Sequence, residues 1–385
     1  MAVATETIVD TATRLHGHML KKHWNGRALE GPDVGVRFNA RLGRFIKSYL
    51  GFSPWTDNYR YMQAQGYWIV ANWLMSDLTG NHQCRDLALA CSDYVLSAQQ
   101  PEGYWEYPNP EWKGRIATVE GDVATLGLLE SYQRTRHEPL LKGAKSWYHF
   151  AIDRMGFQGK DGLLAVNYFA NLGSIMVPNN STLTLLVFAR LTELTGDDQY
   201  MSRCPGMVAW LRLAQRESGE LPYGLAGNPG GTDRIHFLCY QYNAFEFMDL
   251  VQYYRITGDR AVWGIMEKLA QYLSGGITRS GAARYDCHHQ KPEVSYYTAA
   301  LGAALSQATA LGLGDFNPES ERAYARVLSQ IRADGGPSFF SRGNYRWLAD
   351  RRSYPRNLAM ILYHLLLEVQ TRAPLSEQAF LVRPR

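Results

Sequence analysis

A short phrase that ends a predicted helix recurs along the chain at nearly constant spacing, and it limits the possible folds more than any other feature. The phrase carries a threonine, usually followed by glycine, at Thr79, Thr135, Thr195 and Thr257. These threonines lie 56, 60 and 62 residues apart. Two helices and their connections fill such an interval, because a helix rises about 1.5 Å per residue. A fixed long period indicates stacked units that share one core, and a chain of 385 residues accommodates about six of them.

This period predicts an all-α fold, a single closed (α/α)6 toroid of six helical hairpins with short extended segments at Gly-rich turns. The more apolar helices are predicted to form the inner ring, at residues 59–78, 119–135, 181–195, 240–257, 294–311 and 355–370. The more amphipathic helices are predicted to form the outer ring, at residues 7–23, 84–99, 140–154, 204–216, 261–273 and 319–332. One domain should therefore span residues 1–385, with residues 26–56 as an insertion in the first hairpin.

The composition argues against several classes of protein. The formal net charge is only +4, and no basic run with interleaved aromatic residues occurs, so we expect no nucleic-acid partner. No stretch of about 20 apolar residues is present for a membrane span. The five cysteines are odd in number and scattered, which predicts reduced thiols in a cytoplasmic protein without a signal region. We expect a monomer or a weak dimer.

Polar and aromatic residues gather at the predicted starts of all six inner helices. In a closed toroid these N-termini ring one mouth, and their free N–H groups favour anionic ligands. Burying such polar groups unpaired costs on the order of several kcal/mol. We therefore predict the functional site at this mouth, with Glu120, Asp122, His236 and Tyr240 as catalytic residues. The predicted substrate-binding residues are Tyr59, Arg60, Trp105, Asn179, Asn180, Gln241, Tyr242, Glu293, Tyr296, Arg351 and Arg352.

Structural roles compete with these assignments. Glu120 and Asp122 also suit the first turn of a helix, where a carboxylate offsets the helix dipole. The two asparagines are good helix caps, and the paired arginines also fit surface ion pairs. The Cys-His-His run at residues 287–289 offers zinc-ligand types, but adjacent side chains point in different directions. Since no spaced ligand set is present, we expect no metal and no other cofactor.

Residues 96–105, which include Gln100, Gly103 and Trp105, resemble the Q-x(2–5)-G-x-W repeat of the squalene cyclase and prenyltransferase superfamily, and residues 211–221 are a weaker copy. The hairpin order also resembles six-hairpin carbohydrate enzymes such as unsaturated glucuronyl hydrolases and the helical domain of glucuronyl C5-epimerases. The resemblance implies a toroid over nearly the whole chain, a fold that hosts several chemistries. The D-x-D-D motif of class II terpene cyclases is missing, and the zinc ligands of protein prenyltransferases and lanthionine cyclases are not matched.

The leading hypothesis is an enzyme that acts on an anionic, uronic-acid-type saccharide, as a small molecule or oligosaccharide, by general acid–base chemistry. Hydrolysis follows if Glu120 and Asp122 contact one glycosidic bond, whereas elimination or C5 epimerisation follows if a tyrosine and a histidine flank C5. The second hypothesis is a terpene or prenyl cyclase-like enzyme whose aromatic cavity stabilises carbocations. The third is a non-catalytic binding or scaffold toroid, which full neutralisation of the central carboxylates by ion pairs would favour.

Overall fold

The computed structural model describes residues 3–36, 45, 46, 48, 49, 57–170, 172–226, 233–235, 239–339, 348 and 350–373. Twelve α-helices alternate along this part of the chain, which confirms the all-α toroid. The inner helices are α2 (Met62–Thr79), α4 (Thr118–Thr135), α6 (Pro178–Thr195), α8 (Cys239–Thr257), α10 (Ser295–Ala310) and α12 (Pro355–Arg372). The outer helices are α1 (Thr5–Lys22), α3 (His82–Ala98), α5 (Glu138–Phe150), α7 (Cys204–Ala214), α9 (Trp263–Ser274) and α11 (Asn317–Ser329).

Helix packing closes the ring. Each inner helix packs on the inner helices before and after it, and α12 packs back on α2. Each outer helix packs on an inner helix, and α1 lies against α12, so the first and last helices of the chain meet. Inner helices are buried nearly all round, as residues 295–308 of α10 show. The hairpins therefore share one core, whose apolar burial is the main source of stability.

The repeated threonines stop four inner helices in the same way. Each hydroxyl donates to the carbonyl oxygen four residues earlier, at 2.6–2.8 Å, and accepts the N–H two residues later, at 3.1–3.3 Å. The residue after each threonine has a left-handed φ of 56–72°, the common C-terminal cap of a helix. We call this side of the ring, where the inner helices end, the far end. The side where they begin is the mouth.

Turns on the mouth side join neighbouring hairpins. Four turn glycines with positive φ follow outer helices, and a Cβ atom on any of them would lie 2.1–2.3 Å from a carbonyl oxygen of another outer helix. These glycines are Gly103, Gly219, Gly281 and Gly335. The side chain of Gln99 donates to the carbonyls of Gly103 and Gly143, both at 2.9 Å, and so holds the first of these turns against α5. The glutamine that matters in the resemblance motif is thus Gln99 rather than Gln100.

The short extended segments that the sequence predicts extend into a five-stranded antiparallel sheet. Its order is β1 (Phe157–Lys160), β2 (Leu163–Phe169), β3 (Leu172–Met176), β4 (Gly224–Ala226) and β5 (Asp233–Ile235). The pair Ile175 and Ala226 links the connection before α6 to the connection before α8. The sheet therefore lies on the mouth side, next to the starts of two inner helices.

Part of the predicted insertion at residues 26–56 lies outside the described residues, namely 37–44, 47 and 50–56. Its described beginning stays close to the mouth, because Gly31 forms an antiparallel bridge with Tyr59 just before α2. No helix among the described residues combines the length and the apolar character that crossing a membrane requires.

Candidate functional site

Arg356, in the first turn of α12, is the centre of the polar network at the mouth. Its Nε and Nη2 atoms each donate to the Asp33 carboxylate at 2.8 Å. Its Nη1 atom donates to Gln63 Oε1 at 3.0 Å, and its guanidinium carbon lies 4.9 Å from the ring centroid of Tyr61. A two-pronged carboxylate contact fixes the orientation of the guanidinium plane. The side chain of Arg356 keeps 20% of its surface exposed, so a ligand in the mouth can reach it.

A set of tyrosines lies within electrostatic range of Arg356. Burial raises the pKa of six tyrosines, and the positive charge of Arg356 opposes the rise at each of them. They are Tyr61, Tyr67, Tyr107, Tyr168, Tyr242 and Tyr296. These residues come from α2 and its start, the connection before α4, strand β2, α8 and α10. Since one guanidinium interacts with side chains from so many elements around the ring, it lies close to the ring axis.

Four tyrosines form a half-buried hydroxyl-rich wall of the mouth: Tyr107, Tyr168, Tyr223 and Tyr242. The rings of Tyr223 and Tyr242 are 4.9 Å apart at their centroids, and the Tyr223 hydroxyl hydrogen-bonds to the hydroxyls of Tyr168 and Tyr242. Each ring offers a flat apolar face and a polar tip. We call these four residues the tyrosine wall. Its combination of faces and hydroxyls suits a ligand that is polar at its edges, such as a sugar.

Glu120 caps the neighbouring inner helix. Its Oε2 atom accepts the N–H groups of Met62 at 2.5 Å and Gln63 at 3.3 Å, in the first turn of α2. Its Oε1 atom is buried and has no hydrogen-bond partner among the described residues. Burial raises the pKa of Glu120 to about 7, although Arg356 and the two N–H donors act in the opposite direction. This carboxyl group therefore changes charge near neutral pH, beside the central arginine.

Asp122 ties three helices together. One oxygen accepts the indole N–H of Trp147 on α5 at 2.8 Å, and the other accepts the hydroxyl of Thr184 on α6 at 2.6 Å. The side chain is completely buried, and burial raises its pKa to about 7. Glu120 and Asp122 are two positions apart on one helix, so their side chains point to different sides. The contacts of Asp122 are those of a structural link between α4 and its neighbours.

A further acidic group, Asp249, lies deeper, on the inner face of α8. The Asp249 carboxylate accepts the hydroxyl of Thr182 at 3.2 Å. Burial raises its pKa well above the ordinary value, and its charge in turn raises the pKa values of Tyr67 and Tyr363. Those two rings are 5.4 Å apart. Asp249 and the two tyrosines therefore form a polar floor below Arg356.

Three predicted site residues form ion pairs with neighbouring side chains. Arg352 is buried and makes a two-pronged pair with the buried Asp350, with Nη2 2.7 Å from Oδ2. Glu293 accepts both Nε and Nη2 of Arg326 on α11, at 2.6 and 2.7 Å. Arg60 donates to Glu30 at 2.7 and 2.9 Å. The pairs of the buried Arg352 and Glu293 satisfy charges that would be costly to leave alone in a low-dielectric environment, whereas the Arg60 pair is exposed to solvent.

The aromatic predictions divide between core and mouth. Trp105 is buried and donates to the Val95 carbonyl at 2.9 Å, and Tyr240 stacks on Tyr272 of α9 at 4.9 Å. Both therefore pack toward outer helices. Tyr242 belongs to the tyrosine wall, and Tyr296 approaches Gln241 Oε1 at 3.5 Å beside it.

The remaining predicted residues occupy varied positions. Arg351 is exposed, with its guanidinium 4.5 Å from the Tyr49 ring centroid. Tyr59 is half-buried and pairs through its backbone with Gly31. Asn179 and Asn180 are buried in the first turn of α6. His236 lies outside the described residues.

Sequence reasoning missed the residues that the loops supply. Asp33, Tyr107, Tyr168 and Tyr223 lie in connections, and nothing in their spacing marks them. Arg356 could have been singled out from the sequence. It is a cation at the start of the sixth inner helix, where an unpaired cation is unfavourable next to the helix dipole. Such a cation requires a partner across the mouth, and Asp33 is that partner.

Comparison with known proteins identifies the class of fold. No protein-family model matches the chain, and no curated protein matches its sequence. A possible GH105 family member from Salmonella enterica has a TM-score of 0.68 at 14% identity, over 96% of this chain and 95% of that one. The cellobiose 2-epimerase of Bacillus thermoamylovorans has a TM-score of 0.68 at 14% identity, over 94% and 99%.

An unsaturated glucuronyl hydrolase from Bacillus sp. GL1, described as responsible for glycosaminoglycan degradation, has a TM-score of 0.69 at 16% identity, over 94% of this chain and 96% of that one. These likenesses confirm the resemblance to six-hairpin toroids at the level of fold. They span nearly the full length of both chains in each case.

Proposed function

We propose that this chain is an enzyme that acts on an anionic, uronic-acid-type saccharide, with Arg356 binding the substrate carboxylate. The observation that carries the proposal is a partly exposed guanidinium close to the ring axis, with tyrosines within electrostatic range. Asp33 and Gln63 take three of the five N–H donors of Arg356, and the remaining N–H groups on Nη1 and Nη2 can bind a substrate carboxylate. The tyrosine wall supplies flat faces for sugar rings and hydroxyls for their edges. Solved toroids of the same shape include a glucuronyl hydrolase, a polysaccharide lyase and a cellobiose epimerase.

The favoured chemistry is proton removal at C5, next to the sugar carboxylate, which leads to elimination or epimerisation. A fixed positive charge beside that carboxylate stabilises the negative charge that develops as the proton leaves. Burial raises the pKa of Tyr107, Tyr168 and Tyr242, and the charge of Arg356 offsets only part of the rise, so these hydroxyls stay protonated near neutral pH. A hydroxyl of the tyrosine wall therefore serves as the acid that donates a proton. This assignment moves the catalytic role from Asp122 and Tyr240, as predicted from the sequence, to residues that face the axis.

Hydrolysis is the second candidate, and the pair of Asp33 and Glu120 favours it. Asp33 forms an ion pair with Arg356, whereas burial raises the pKa of Glu120 to about 7. Two carboxyls whose environments differ in this way can divide the roles of acid and base. His236 remains a predicted acid–base group. A terpene cyclase is disfavoured, because the mouth presents an ion pair and tyrosine hydroxyls rather than a deep apolar pocket with one acid.

The test is a substrate panel with one matched variant. Purified protein is incubated with uronate-containing and neutral oligosaccharides. Ultraviolet absorbance reports elimination, solvent deuterium incorporation reports C5 epimerisation, and reducing ends report hydrolysis. We expect turnover of uronates only, and a loss of about 100-fold in kcat/KM for Arg356→Gln. Arg60→Gln is the control, because it also breaks an arginine–carboxylate pair but away from the axis.

Turnover of neutral sugars at the same rate, or an Arg356→Gln variant that keeps full activity, would contradict the proposed substrate class. Full inertness toward every saccharide, with no binding by calorimetry, would favour the terpene or scaffold alternatives. The cytoplasmic location, the weakly dimeric or monomeric state and the single domain over residues 1–385 stay predictions. Limited proteolysis that yields two stable halves would contradict the single domain.

A further inference from the structure

Two thiols and a carboxylate converge beside the start of α8. The Sγ atoms of Cys239 and Cys287 are 3.4 Å apart, and a carboxylate oxygen of Glu220 lies within 4.8 Å of both. Cys239 and Glu220 are buried, and Cys287 is half-buried. Cys239 is the first residue of α8, Glu220 lies in the turn before β4, and Cys287 lies in the connection between α9 and α10. Three separate segments thus present one ligand-type atom each to one point.

The other repeats act as internal controls for this cluster. In α8, Asn243 bonds to the residue after Glu220, and its amide also donates to the carbonyl of Cys239, four residues earlier. Three other inner helices use a side chain in the same way: Gln65, Ser181 and Thr298 accept the N–H groups of Leu29, Val166 and Ala283.

Leu29, Val166 and Ala283 correspond to Leu221, so the residue before each of them is the equivalent of Glu220. Gln65, Ser181 and Thr298 correspond to Asn243, so the residue four positions before each of them is the equivalent of Cys239. The equivalents of Glu220 are Ala28, Ala165 and Ala282, and the equivalents of Cys239 are Tyr61, Val177 and Val294. All six are buried. In these three repeats the two positions are therefore filled by an alanine and by a bulky residue, which is aliphatic in two of them. Only the α8 member of these four replaces both by a carboxylate and a thiol, so packing does not explain the pair.

Hydrogen bonds to the backbone hold the three donors in place. Asn243 binds both the N–H and the carbonyl of Leu221 at 2.8 Å, and donates to the carbonyl of Cys239 at 2.8 Å. It thereby fixes Glu220 relative to Cys239. On the other side, the Asp286 carboxylate accepts the N–H groups of His288 and His289 at 2.8 and 2.7 Å, which sets the turn that carries Cys287. Supporting contacts of this kind orient the ligands of metal sites.

A neighbouring hydroxyl also points to a ligand. The Tyr272 oxygen is buried and has no hydrogen-bond partner among the described residues. Burial raises the pKa of Tyr272, and Glu220, Cys239, Tyr240 and Cys287 raise it further, so the hydroxyl lies beside the cluster. A buried hydroxyl without a partner is uncommon. Water held on an ion at this point is a partner that would satisfy it.

We propose that Glu220, Cys239 and Cys287 bind a borderline-soft divalent cation, with Zn²⁺ the best match. Thiolates and a carboxylate are the ligand types that Zn²⁺ takes, and three protein ligands leave its fourth position to water. Arg216 Nη1 lies 3.8 Å from Glu220 Oε2 and balances one negative charge, so three deprotonated groups would still repel one another without a second cation. The absence of a spaced set in the sequence led to the expectation of no metal, and the fold now brings together residues that are up to 67 positions apart, from 220 to 287.

The test measures metal binding directly and does not depend on the substrate. Protein stripped with a chelator is titrated with zinc alone by calorimetry, and with cobalt while thiolate-to-metal absorption is recorded. We expect one ion per chain, and a Kd raised by about 100-fold or more in Cys239→Val and in Glu220→Ala. These variants copy the residues that the other repeats use, so they should fold. Cys84→Val, which removes a buried thiol outside the cluster, is the control and should bind normally.

Circular dichroism checks the fold of each variant. If Cys239→Val does not fold, the half-buried Cys287→Ser takes its place with the same expected loss. The proposal is overturned if stripped protein binds neither zinc nor cobalt, or if the variants bind as tightly as the parent chain. It is equally overturned if the two thiols exchange with a small disulfide to form a Cys239–Cys287 bond in protein that binds no metal.

Discussion

The two ends of the ring are built on opposite principles. At the far end, four connections repeat the same bonds, with the threonine hydroxyl bound to the carbonyl four residues earlier and a left-handed residue after it. At the mouth, equivalent positions differ from repeat to repeat. Arg356 meets Asp33 at one place, a carboxyl caps a neighbouring helix at another, and thiols meet Glu220 at a third. The uniform end serves the fold, and the varied end is where a site can be built.

Replacing a glycine at each end makes this contrast measurable, and it gives the largest expected effect on the free energy of unfolding. A Cβ at Gly219, on the mouth side, would lie 2.2 Å from the Lys268 carbonyl oxygen, whereas a Cβ at Gly196, at the far end, would meet nothing within 4 Å. Both glycines have positive φ. We expect Gly196→Ala to cost about 1 kcal/mol from backbone strain alone. Gly219→Ala adds a backbone clash and should cost about 3 kcal/mol or more. Urea unfolding of both variants checks this, and equal losses would break the comparison.

The second prediction concerns pH and the buried carboxyl at the mouth. The folded chain holds the Glu120 proton more tightly than the unfolded chain does, because its pKa rises from 4.5 to about 7. Its contribution to stability is therefore fully present below pH 4.5 and is lost as pH rises through 7. Glu120→Gln keeps an acceptor for the α2 N–H groups and should remove up to about 3 kcal/mol of this dependence.

Denaturant unfolding of the parent chain and of Glu120→Gln between pH 4 and pH 8 measures the difference. Asp197→Asn is the control, because Asp197 caps a short helical turn at the far end. A variant with the same pH profile as the parent chain would show that Glu120 carries no such proton.

Replacing Asp122 distinguishes the catalytic role predicted from the sequence from the structural role that its contacts indicate. The sequence predicts a loss of activity of two or more orders of magnitude for Asp122→Asn. The structure points instead to a stability loss of about 1–2 kcal/mol with little change in kcat, because both oxygens are engaged by Trp147 and Thr184. Trp147→Phe removes the same indole bond, so a double-mutant cycle should show coupling. A folded Asp122→Asn enzyme without activity would restore the catalytic role.

The architecture could be predicted because it is encoded locally and repeatedly. The threonine phrase ends four inner helices, and the apolar pattern placed all twelve helices within a few residues of their observed bounds. Helix capping and amphipathic spacing act over a few residues, so a sequence displays them directly. Repetition then added the closed ring, since each hairpin needs a neighbour to bury its apolar face.

The site could be predicted only as a region. Arg356 lies in a predicted cluster, but its partner Asp33 is 323 positions away in a connection. The trio of Glu220, Cys239 and Cys287 likewise depends on loop conformation. The spacing of Glu120 and Asp122 was a usable signal against placing both in one site, because side chains two residues apart on a helix cannot face one cavity. Charge complementarity across a ring becomes visible only after the ring is closed.

The threonine cap at the far end should contribute a moderate and similar amount to the free energy of unfolding in each repeat. Thr195→Ala removes the hydroxyl that bonds the Leu191 carbonyl at 2.7 Å and accepts the Asp197 N–H at 3.2 Å. We expect a loss of about 1 kcal/mol, typical of a lost cap. Thr79→Ala, at the same position of another repeat, should cost a similar amount. Widely different losses in urea unfolding would mean that the far end is uniform in geometry but not in energy.

The smallest expected effect is a gain in stability at Arg136, the one cap among the four threonine repeats that is not glycine. Arg136 follows Thr135 with a φ of 56°, where the three other repeats use Gly80, Gly196 and Gly258. A left-handed conformation is strained for a residue with a Cβ, by about 1 kcal/mol, and Arg136 recovers part of this by placing its guanidinium 5.5 Å from the Tyr132 ring centroid. Arg136→Gly relieves the strain but makes the unfolded chain more flexible. We therefore expect a net gain of about 0.5 kcal/mol in urea unfolding, and Arg136→Ala, which keeps the Cβ and loses the ring contact, should be less stable than the parent chain. A loss on Arg136→Gly would show that the contact with Tyr132 outweighs the strain, and that this repeat is capped by its side chain rather than by its backbone.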